Sequence, residues 1–179
     1  MLNQSILGRT NLLVTRLDYG TMQLRDLSHL KLLESGETDN PASKLLNTVL
    51  DLGINFIDTA YSYGKSEEYI GNSICSRRSE FVLATKAGRK EQAISGSGGH
   101  WKKEELISSV EESLIRLKTD YIDILQLHSP IPSDVIENDS LQALQVLKEQ
   151  GKIRYAGISS GVPHIEAFLD MKFFDTIQI

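Results

Sequence analysis

Residues 53–64 read GINFIDTAYSYG, an apolar run that gives way to polar and aromatic residues. The run at 54–57 is short and apolar enough to be a buried strand, and the glycine before it is typical of a helix end. Upstream, Asn40 can cap free amide groups and Pro41 fits a first helical turn, so a helix is predicted to begin there. This stretch therefore predicts one helix, then one strand, and then Asp58 directly after the strand.

Apolar residues recur at helical spacing between that predicted helix start and the strand. Leu45, Leu46, Val49 and Leu50 form one stripe, which we expect to face the core. The same cycle of helix and strand repeats along the rest of the chain. The pattern predicts helices at residues 67–75, 103–117, 141–150 and 164–171, and strands at residues 16–21, 54–57, 81–84, 121–127, 153–158 and 174–179. Residues 1–14 are interpreted as a preceding hairpin or arm.

Helices that alternate with short apolar strands are typical of parallel β/α units. Six such strands fit either an open doubly wound sheet or most of an eight-stranded barrel, and periodicity does not separate the two. An open sheet that binds a dinucleotide needs a glycine-rich phosphate loop after an early strand. Gly53 precedes its strand, and the glycines within residues 96–99 lie in a polar loop that does not open a helix. The main support for the open sheet is therefore missing.

The fold class that we predict is α/β, a TIM-type (β/α)8 barrel with about six of its eight β/α units present. The length of 179 residues allows one well-buried domain, which spans residues 1–179. A complete barrel usually takes about 250 residues, so we expect the C-terminal part of the barrel to be missing. Because an unclosed barrel leaves strand edges exposed, self-association is a possible consequence.

Composition narrows the class of protein. Hydrophobic residues at 40% and charged residues at 24% are ordinary for a globular chain. A net charge of -5 without a run of basic residues argues against nucleic acid as a partner. No apolar run approaches the roughly 20 residues that span a bilayer, and the N-terminus lacks the layout of a signal peptide. We therefore expect a cytoplasmic protein without a membrane partner. Cys75 lies on an apolar helix face and is interpreted as a buried structural thiol.

Polar and ionisable residues directly follow four of the predicted strands. These residues are Asp58, Lys86, His128 and the pair Ser159-Ser160. In a β/α barrel the carboxyl ends of all strands lie on one face, where the active sites of such enzymes are found. Each residue alone has an ordinary structural explanation, such as a capping aspartate or a solvated lysine. Four strands that end in this way favour one shared active-site cavity.

The local sequence around these residues is similar to that of a known family. Residues 53–64, followed by Ser66-Glu67, resemble the signature of the aldo-keto reductases, which contains a catalytic aspartate and tyrosine. The resemblance runs from about Leu7 to the last residue and continues through residues 84–86, 109–114, 119–123, 127–128 and 151–159. It implies a β/α-barrel oxidoreductase that reduces a small carbonyl substrate, an aldehyde or a ketone, to an alcohol with NADPH.

The resemblance also implies roles for individual residues. The catalytic residues that it implies are Asp58, Tyr63, Lys86 and His128. The cofactor-binding residues that it implies are Gly20, Thr21, Ser159, Ser160 and Gln178. The family's acid stands five positions after the aspartate, which leaves Tyr61 in a variable loop. Two residues depart from the family: Ser160 replaces the usual asparagine, and Asp18 stands where an apolar residue or glycine is usual.

Carbonyl reduction needs a hydride on carbon and a proton for the developing alkoxide. A free tyrosine, with a pKa of about 10, is a reluctant proton donor at neutral pH. A neighbouring ammonium stabilises the tyrosinate, and a carboxylate beside the ammonium keeps it charged and in place. Tyr63, Lys86 and Asp58 suit these three roles, while His128 can polarise the carbonyl oxygen through a hydrogen bond.

Other functions remain open from the sequence. The main alternative to an enzyme is a non-catalytic remnant or interaction module that keeps these residues but cannot hold a cofactor alone. A weaker alternative makes Lys86 the Schiff-base lysine of a barrel aldolase, and the sequence at 58–64 argues against it. The segment 89–101 has two interpretations: a mobile substrate loop with Trp101 as a pocket wall, or a plain connector with Trp101 packed on the following helix.

Overall fold

The computed structural model describes residues 2–27, 40–89 and 99–179. In these residues the chain opens with an antiparallel hairpin and continues as one parallel sheet. The hairpin strands are β1, Gln4–Ile6, and β2, Leu13–Thr15. The strands of the parallel sheet are β3 Tyr19–Gly20, β4 Phe56–Asp58, β5 Val82–Ala87, β6 Ile122–His128, β7 Ile153–Ser159 and β8 Thr176–Gln178.

Helices connect the parallel strands and begin where the sequence supplies suitable residues. Pro41 is the first residue of α1, and the side chain of Asn40 accepts a hydrogen bond from the amide of Ala42 at 3.0 Å. Across the described ranges the α-helices are α1 Pro41–Asp51, α2 Ser66–Ile74, α3 Lys103–Leu117, α4 Pro132–Glu137, α5 Ser140–Glu149 and α6 Ile165–Asp170. Short 3₁₀ helices cover Met22–Arg25 and Cys75–Glu80. None of these helices has the length and apolar character that crossing a bilayer requires.

The strands of the parallel sheet lie side by side in chain order, from β3 to β8. Each pair of neighbours is parallel, with a crossover connection between its two strands. In the described part of the chain, β3 pairs only with β4 and β8 only with β7, so these two strands form the edges. Six parallel strands in chain order, with helices between them, are a partial (β/α)8 barrel. The predicted fold class and the predicted N-terminal hairpin are therefore confirmed.

The largest differences from the sequence prediction concern one strand and one helix; in addition, β5 extends to Ala87, beyond the strand predicted at residues 81–84, and two 3₁₀ helices were not predicted. The strand predicted at residues 16–21 is reduced to Tyr19–Gly20, because β3 pairs with β4 through these two residues only. The sequence pattern does not indicate α4, because its 6 residues are too few to show a helical apolar repeat. The bounds of α3 agree with the prediction at both ends, since its apolar residues recur over four turns.

The core lies between the sheet and the helices. Two neighbouring leucines of α1 were both expected to face it, but only one of them does. Leu46 is 0% exposed, whereas Leu45 is 41% exposed. Successive helix residues are rotated by about 100°, so a neighbour of a buried residue turns towards the flank of the helix. The expectation for Leu45 is therefore wrong. Cys75 is only partly buried because it begins the 3₁₀ helix after α2, so the buried thiol predicted there is also wrong.

Trp101 packs into the core at the start of the segment that leads to α3. Its ring lies against Gly88, where an added Cβ would come within 2.0 Å of the indole. Its carbonyl oxygen accepts a hydrogen bond from Ser140 Oγ at 2.8 Å. These contacts are with the residue after β5 and with the first residue of α5, so they bury Trp101 but do not show the packing on α3 that the connector interpretation of the segment 89–101 expects. Residues 90–98 of that segment, which were part of the predicted substrate loop, lie outside the described residues.

The contrast between the two leucines of α1 gives a stability test. We expect Leu46→Ala to lower the free energy of unfolding by about 2–5 kcal/mol, because it leaves a cavity at a fully buried site. Leu45→Ala removes the same atoms from an exposed site and serves as the matched control, with an expected loss of less than about 1 kcal/mol. Urea unfolding followed by circular dichroism measures both, and equal losses would contradict this assignment of the core.

Candidate active site

A buried ion pair joins the ends of β4 and β5. Lys86 Nζ lies 2.5 Å from Asp58 Oδ2 and 3.0 Å from the carbonyl oxygen of Thr59. The two side chains are 2% and 8% exposed. Burial raises the pKa of Asp58 above its usual value, and the ammonium of Lys86 works against that rise. The pair holds an ammonium group at a fixed place at the carboxyl ends of the strands.

Two glutamines complete the surroundings of the Asp58 carboxylate. Gln126 Nε2, on β6, donates to Asp58 Oδ1 at 3.3 Å. The side chain of Gln178, on β8, also donates to this carboxylate and helps to lower the pKa of Asp58. The sequence prediction does not include Gln126, although a signal for it exists: an amide in a strand that is buried along its whole length. Such a group needs a polar partner, and here the partner is the carboxylate.

Tyr63 and His128 lie beside this ion pair. The ring of Tyr63 meets that of His128 edge to face, with centroids 5.8 Å apart and an angle of 85° between the planes. Lys86 Nζ is 5.0 Å from the centroid of the Tyr63 ring. The structure therefore brings together the four residues proposed as catalytic, Asp58, Tyr63, Lys86 and His128.

The imidazole of His128 is neutral at physiological pH. Burial lowers the pKa of His128 to about 3, and the positive charges of Lys86 and Arg89 add to the effect. Its Nδ1 lies 3.3 Å from Ser62 Oγ. If the serine hydroxyl donates to Nδ1, the ring proton stands on Nε2, and that tautomer leaves Nε2–H free to act as a donor.

Backbone hydrogen bonds and a glycine shape the loop that carries Tyr63. The amide of Tyr63 donates to the carbonyl of Ala60 at 3.0 Å, which closes a turn. Gly64 follows with a φ of 49°, in the left-handed region. A Cβ at this position would lie 2.7 Å from the carbonyl oxygen of Arg25, so only glycine fits. These constraints fix where the Tyr63 side chain leaves the backbone.

The other tyrosine of the motif, Tyr61, points to a different part of the molecule. Its hydroxyl donates to Glu112 Oε2 at 2.7 Å, and its ring lies 4.4 Å from the guanidinium carbon of Arg116. Both partners belong to α3 rather than to the strand ends. Of the two tyrosines, Tyr63 has its ring beside the lysine and the histidine, in agreement with the family spacing.

The residues implied for cofactor binding lie at the carboxyl ends of the strands, as the candidate catalytic residues do. The register pairs Gly20 with Asp58, and the amide of Thr21 donates to the carbonyl of Asp58 at 2.8 Å. At the other end, Ser159 pairs with Gln178, and the amide of Ser160 donates to the carbonyl of Gln178 at 3.0 Å. The backbone thus places these positions beside the candidate catalytic residues.

The side chain of Gln178 offers a test of fit for a nicotinamide. Its Oε1 is buried and finds no hydrogen-bond partner among the described residues. A buried acceptor without a donor is costly, and the amide group of a nicotinamide would supply the missing N–H. The backbones of Ser159 and Ser160 lie next to that of Gln178. The donor and acceptor set therefore fits a nicotinamide cofactor. Within the described residues, no group of three or more His, Cys, Asp or Glu side chains could hold a metal ion.

The low pKa of His128 makes the stability of the chain depend on pH. The unfolded chain takes up a proton on this histidine near pH 6.5, whereas the folded chain does so only near pH 3. The free energy of unfolding therefore falls as the pH drops from 6.5 towards 3. We expect His128→Gln to flatten that fall, which amounts to about 1.4 kcal/mol per pH unit for one proton. Urea midpoints at several pH values measure it.

His100→Gln is the matched control, since it removes a histidine whose side chain is 45% exposed. A pH dependence that is the same in His128→Gln as in the parent chain would contradict the buried, neutral histidine.

Comparison with known proteins places the chain in a family. Residues 16–177 match the model of the Aldo/keto reductase family. The oxidoreductase YqkF of Bacillus subtilis is 39% identical over 163 residues, which cover 89% of this chain and 49% of that protein. The L-galactose dehydrogenase of Arabidopsis thaliana is 34% identical over 164 residues, which cover 88% of this chain and 48% of the dehydrogenase.

A solved structure shows the same fold. The holo form of the aldo-keto reductase AKR11C1 from Bacillus halodurans superposes with a TM-score of 0.81 and 34% identity, over 100% of this chain and 58% of that one. The chain thus spans about half the length of the curated relatives it matches. By its sequence and by its fold, the chain belongs to the aldo/keto reductase family of oxidoreductases.

Proposed function

We propose that the protein reduces an aldehyde or a ketone to an alcohol with NADPH and that Tyr63 donates the proton. The observation that carries this proposal is the position of the Tyr63 ring, 5.0 Å from Lys86 Nζ and edge to face with His128. The competing tyrosine, Tyr61, is bound to Glu112 instead. Family membership supplies the reaction class, and this geometry supports the assignment of the acid.

The ion pair prepares Tyr63 for proton transfer. When the phenol gives up its proton, it becomes an anion, and the nearby Lys86 ammonium stabilises that anion. Asp58 and the carbonyl of Thr59 hold the ammonium by short contacts, so it cannot turn away into solvent. In the direction of alcohol oxidation the same arrangement lets the tyrosinate accept the proton.

His128 has a complementary role at the carbonyl oxygen. Because it is neutral, it can donate one N–H bond without placing a second positive charge next to Lys86. A hydrogen bond that grows stronger as the oxygen becomes an alkoxide lowers the barrier, typically by about 3 kcal/mol for one preorganised donor. Ser62 holds the ring on its other nitrogen and so orients that donor.

The cofactor supplies the hydride when it is bound. Gln178 Oε1, Ser159 and Ser160 are the residues that we assign to its carboxamide, and Gly20 and Thr21 those beside it at the first strand. Aldo-keto reductases generally use NAD(P)H, and one of the matched structures is a holo form. NADPH in particular is the proposal. Ser160, shorter than the asparagine usual in the family, is expected to reach the amide through a water molecule.

A different observation favours a chain that does not hold a cofactor by itself. The parallel sheet has unpaired edges at β3 and β8 in the described residues, whereas a closed barrel has none. This alternative is a non-catalytic member that uses the edges for contact with other chains. The Schiff-base alternative has less support, because Lys86 is engaged as an ammonium by Asp58 and Thr59, while a lysine that attacks a carbonyl must be neutral.

Titration with NADPH in the presence of a simple aldehyde separates these functions, followed by cofactor fluorescence and absorbance. We expect Tyr63→Phe to lower kcat by at least about 100-fold while leaving the NADPH dissociation constant nearly unchanged, because only the proton donor is lost. Tyr61→Phe is the matched control, since it removes a hydroxyl bound to Glu112 rather than the acid. We expect its kcat to stay within a few-fold of the parent.

A Tyr63→Phe variant that turns over as fast as the parent would refute the assignment of the acid. Absence of NADPH binding at high micromolar concentration would exclude the isolated chain as an enzyme and favour the non-catalytic alternative.

The orphan acceptor of Gln178 gives a separate test of the cofactor site. We expect Gln178→Met to raise the NADPH dissociation constant by roughly five- to tenfold, the loss of about one hydrogen bond. Gln145→Met replaces an exposed glutamine on α5 and is the matched control. Fluorescence titration measures both constants, and equal affinities in the two variants would remove Gln178 from the site.

A further inference from the structure

Arg116 lies in the last turn of α3 and faces the loop that carries Tyr63. Its Nη1 donates to the carbonyl oxygen of Tyr61 at 3.3 Å, and its Nη2 donates to Glu112 Oε1 at 2.5 Å. The guanidinium carbon is 4.4 Å from the centroid of the Tyr61 ring. A side chain outside the strand ends thus contacts both the backbone and the ring of a residue two positions before the proposed acid.

The peptide groups on both sides of Tyr61 are fixed. Its N–H donates to the carbonyl of Lys86 at 3.0 Å, and its C=O accepts from Arg116. The next turn follows at once, with Tyr63 N–H bonded to the carbonyl of Ala60. The bond to Lys86 sets the register of the loop against β5, and the contact from Arg116 holds the other side of the same residue, two positions before the phenol.

A buried carboxylate connects the same arginine to β5. Glu67, in the first turn of α2, is 0% exposed, and its Oε1 accepts a hydrogen bond from Thr85 Oγ1 at 2.6 Å. Its Oε2 lies 3.8 Å from Arg116 Nη1. Burial raises the pKa of Glu67, while the hydrogen bonds from Thr85 and Ser113 and the charge of Arg116 work against the rise. Since Thr85 precedes Lys86, the strand and the loop are tied to one guanidinium.

We propose that Arg116 is a positioning residue for the reaction: it holds the backbone of Tyr61 and so sets the distance from the Tyr63 phenol to Lys86 and His128. The inference rests on the proposed function of Tyr63 as the acid. Arg116 contacts Tyr61, Glu112 and Glu67, none of which is a candidate catalytic residue, so we assign it a role that acts through the loop. Because a misplacement of about 1 Å in a reacting group can cost on the order of 100-fold in rate, an anchor of this kind affects kcat directly.

Arg116→Met tests the proposal, since methionine keeps much of the length and the apolar contact but removes the donors. We expect kcat to fall by roughly 10- to 100-fold. The NADPH dissociation constant should be unchanged, because the residues assigned to the cofactor lie at the ends of β3, β7 and β8 and not on α3. Arg116→Lys restores the positive charge, and we expect it to recover part of the rate. Tyr61→Ala removes the ring that the guanidinium covers but keeps the carbonyl that Arg116 holds, so we expect it to lose less kcat than Arg116→Met; an equal loss would assign the effect to the ring and overturn the backbone anchor.

Arg77→Met is the matched control. Arg77 is also partly buried and forms ion pairs, with Asp51 and Glu80, but it lies in the 3₁₀ helix that precedes β5, away from the strand ends. Its loss should lower the thermal midpoint as much as the loss of Arg116 and leave kcat unchanged. A common fall of kcat in both variants would show a general effect of stability and overturn the proposal.

Hydrogen exchange provides a readout that needs neither cofactor nor turnover. We expect the amides of Tyr61 and Tyr63 to exchange about tenfold faster in Arg116→Met than in Arg77→Met, with the amides in the middle of α3 unchanged. If these rates and kcat are the same in the two variants, the anchor does not exist. If the parent chain shows no turnover but the loop amides respond as expected, the anchor stands, and it is the proposed function that fails.

Discussion

The buried contact between Lys86 and Asp58 is the interaction on which the rest of the site depends. Removing an ammonium and a carboxylate from water costs several kcal/mol for each ion, and only close partners offset that cost. Here the partners are each other, the carbonyl of Thr59 and the amide of Gln126. They come from β4, β5 and β6, so the pair is satisfied only when these three strands stand in one register. Loss of either ion would leave the other buried without its opposite charge, with only neutral hydrogen-bond partners.

This one cation also sets the electrostatics of its neighbours. Its charge reinforces the effect of burial on His128, which stays neutral and retains a single proton to donate. The same charge lies 5.0 Å from the centroid of the Tyr63 ring, where it would stabilise the phenolate formed in the proposed proton transfer. Under the proposed function, the lysine at the end of β5 acts on both adjacent side chains: it helps to keep His128 uncharged, and it stabilises the phenolate of Tyr63 once the proton has left. The proposed division of roles between acid and hydrogen-bond donor rests on this charge together with the burial of His128.

The sequence predicts those parts of the fold and the site that depend on local pattern. The bounds of α3 follow from apolar spacing, and Asp58, Lys86 and His128 are found because each stands at the end of an apolar strand. It is harder to predict which residues of a helix are buried, since Leu45 and Leu46 are equally apolar and only the packing of α1 distinguishes them.

Contacts that depend on tertiary packing are beyond the sequence pattern. Arg116 and Glu67 stand 49 positions apart, and nothing in either local stretch indicates that they contact each other. Tyr61 is a similar case: the family spacing excludes it as the acid, but only the fold shows that its hydroxyl binds Glu112. A residue that acts by positioning another can be recognised only from the distances between side chains in the folded structure.

The approach of α2 to α3 explains why such a contact can form at all. Gly71 of α2 lies so close to the end of α3 that an added Cβ would come within 2.1 Å of the carbonyl oxygen of Arg116. A larger residue would push the two helices apart and withdraw the guanidinium from the loop and from Glu67. The absence of a side chain at Gly71 therefore allows Arg116 to contact the loop and Glu67. The geometry of the candidate acid therefore depends on helix packing outside the sheet as well as on the ends of the strands.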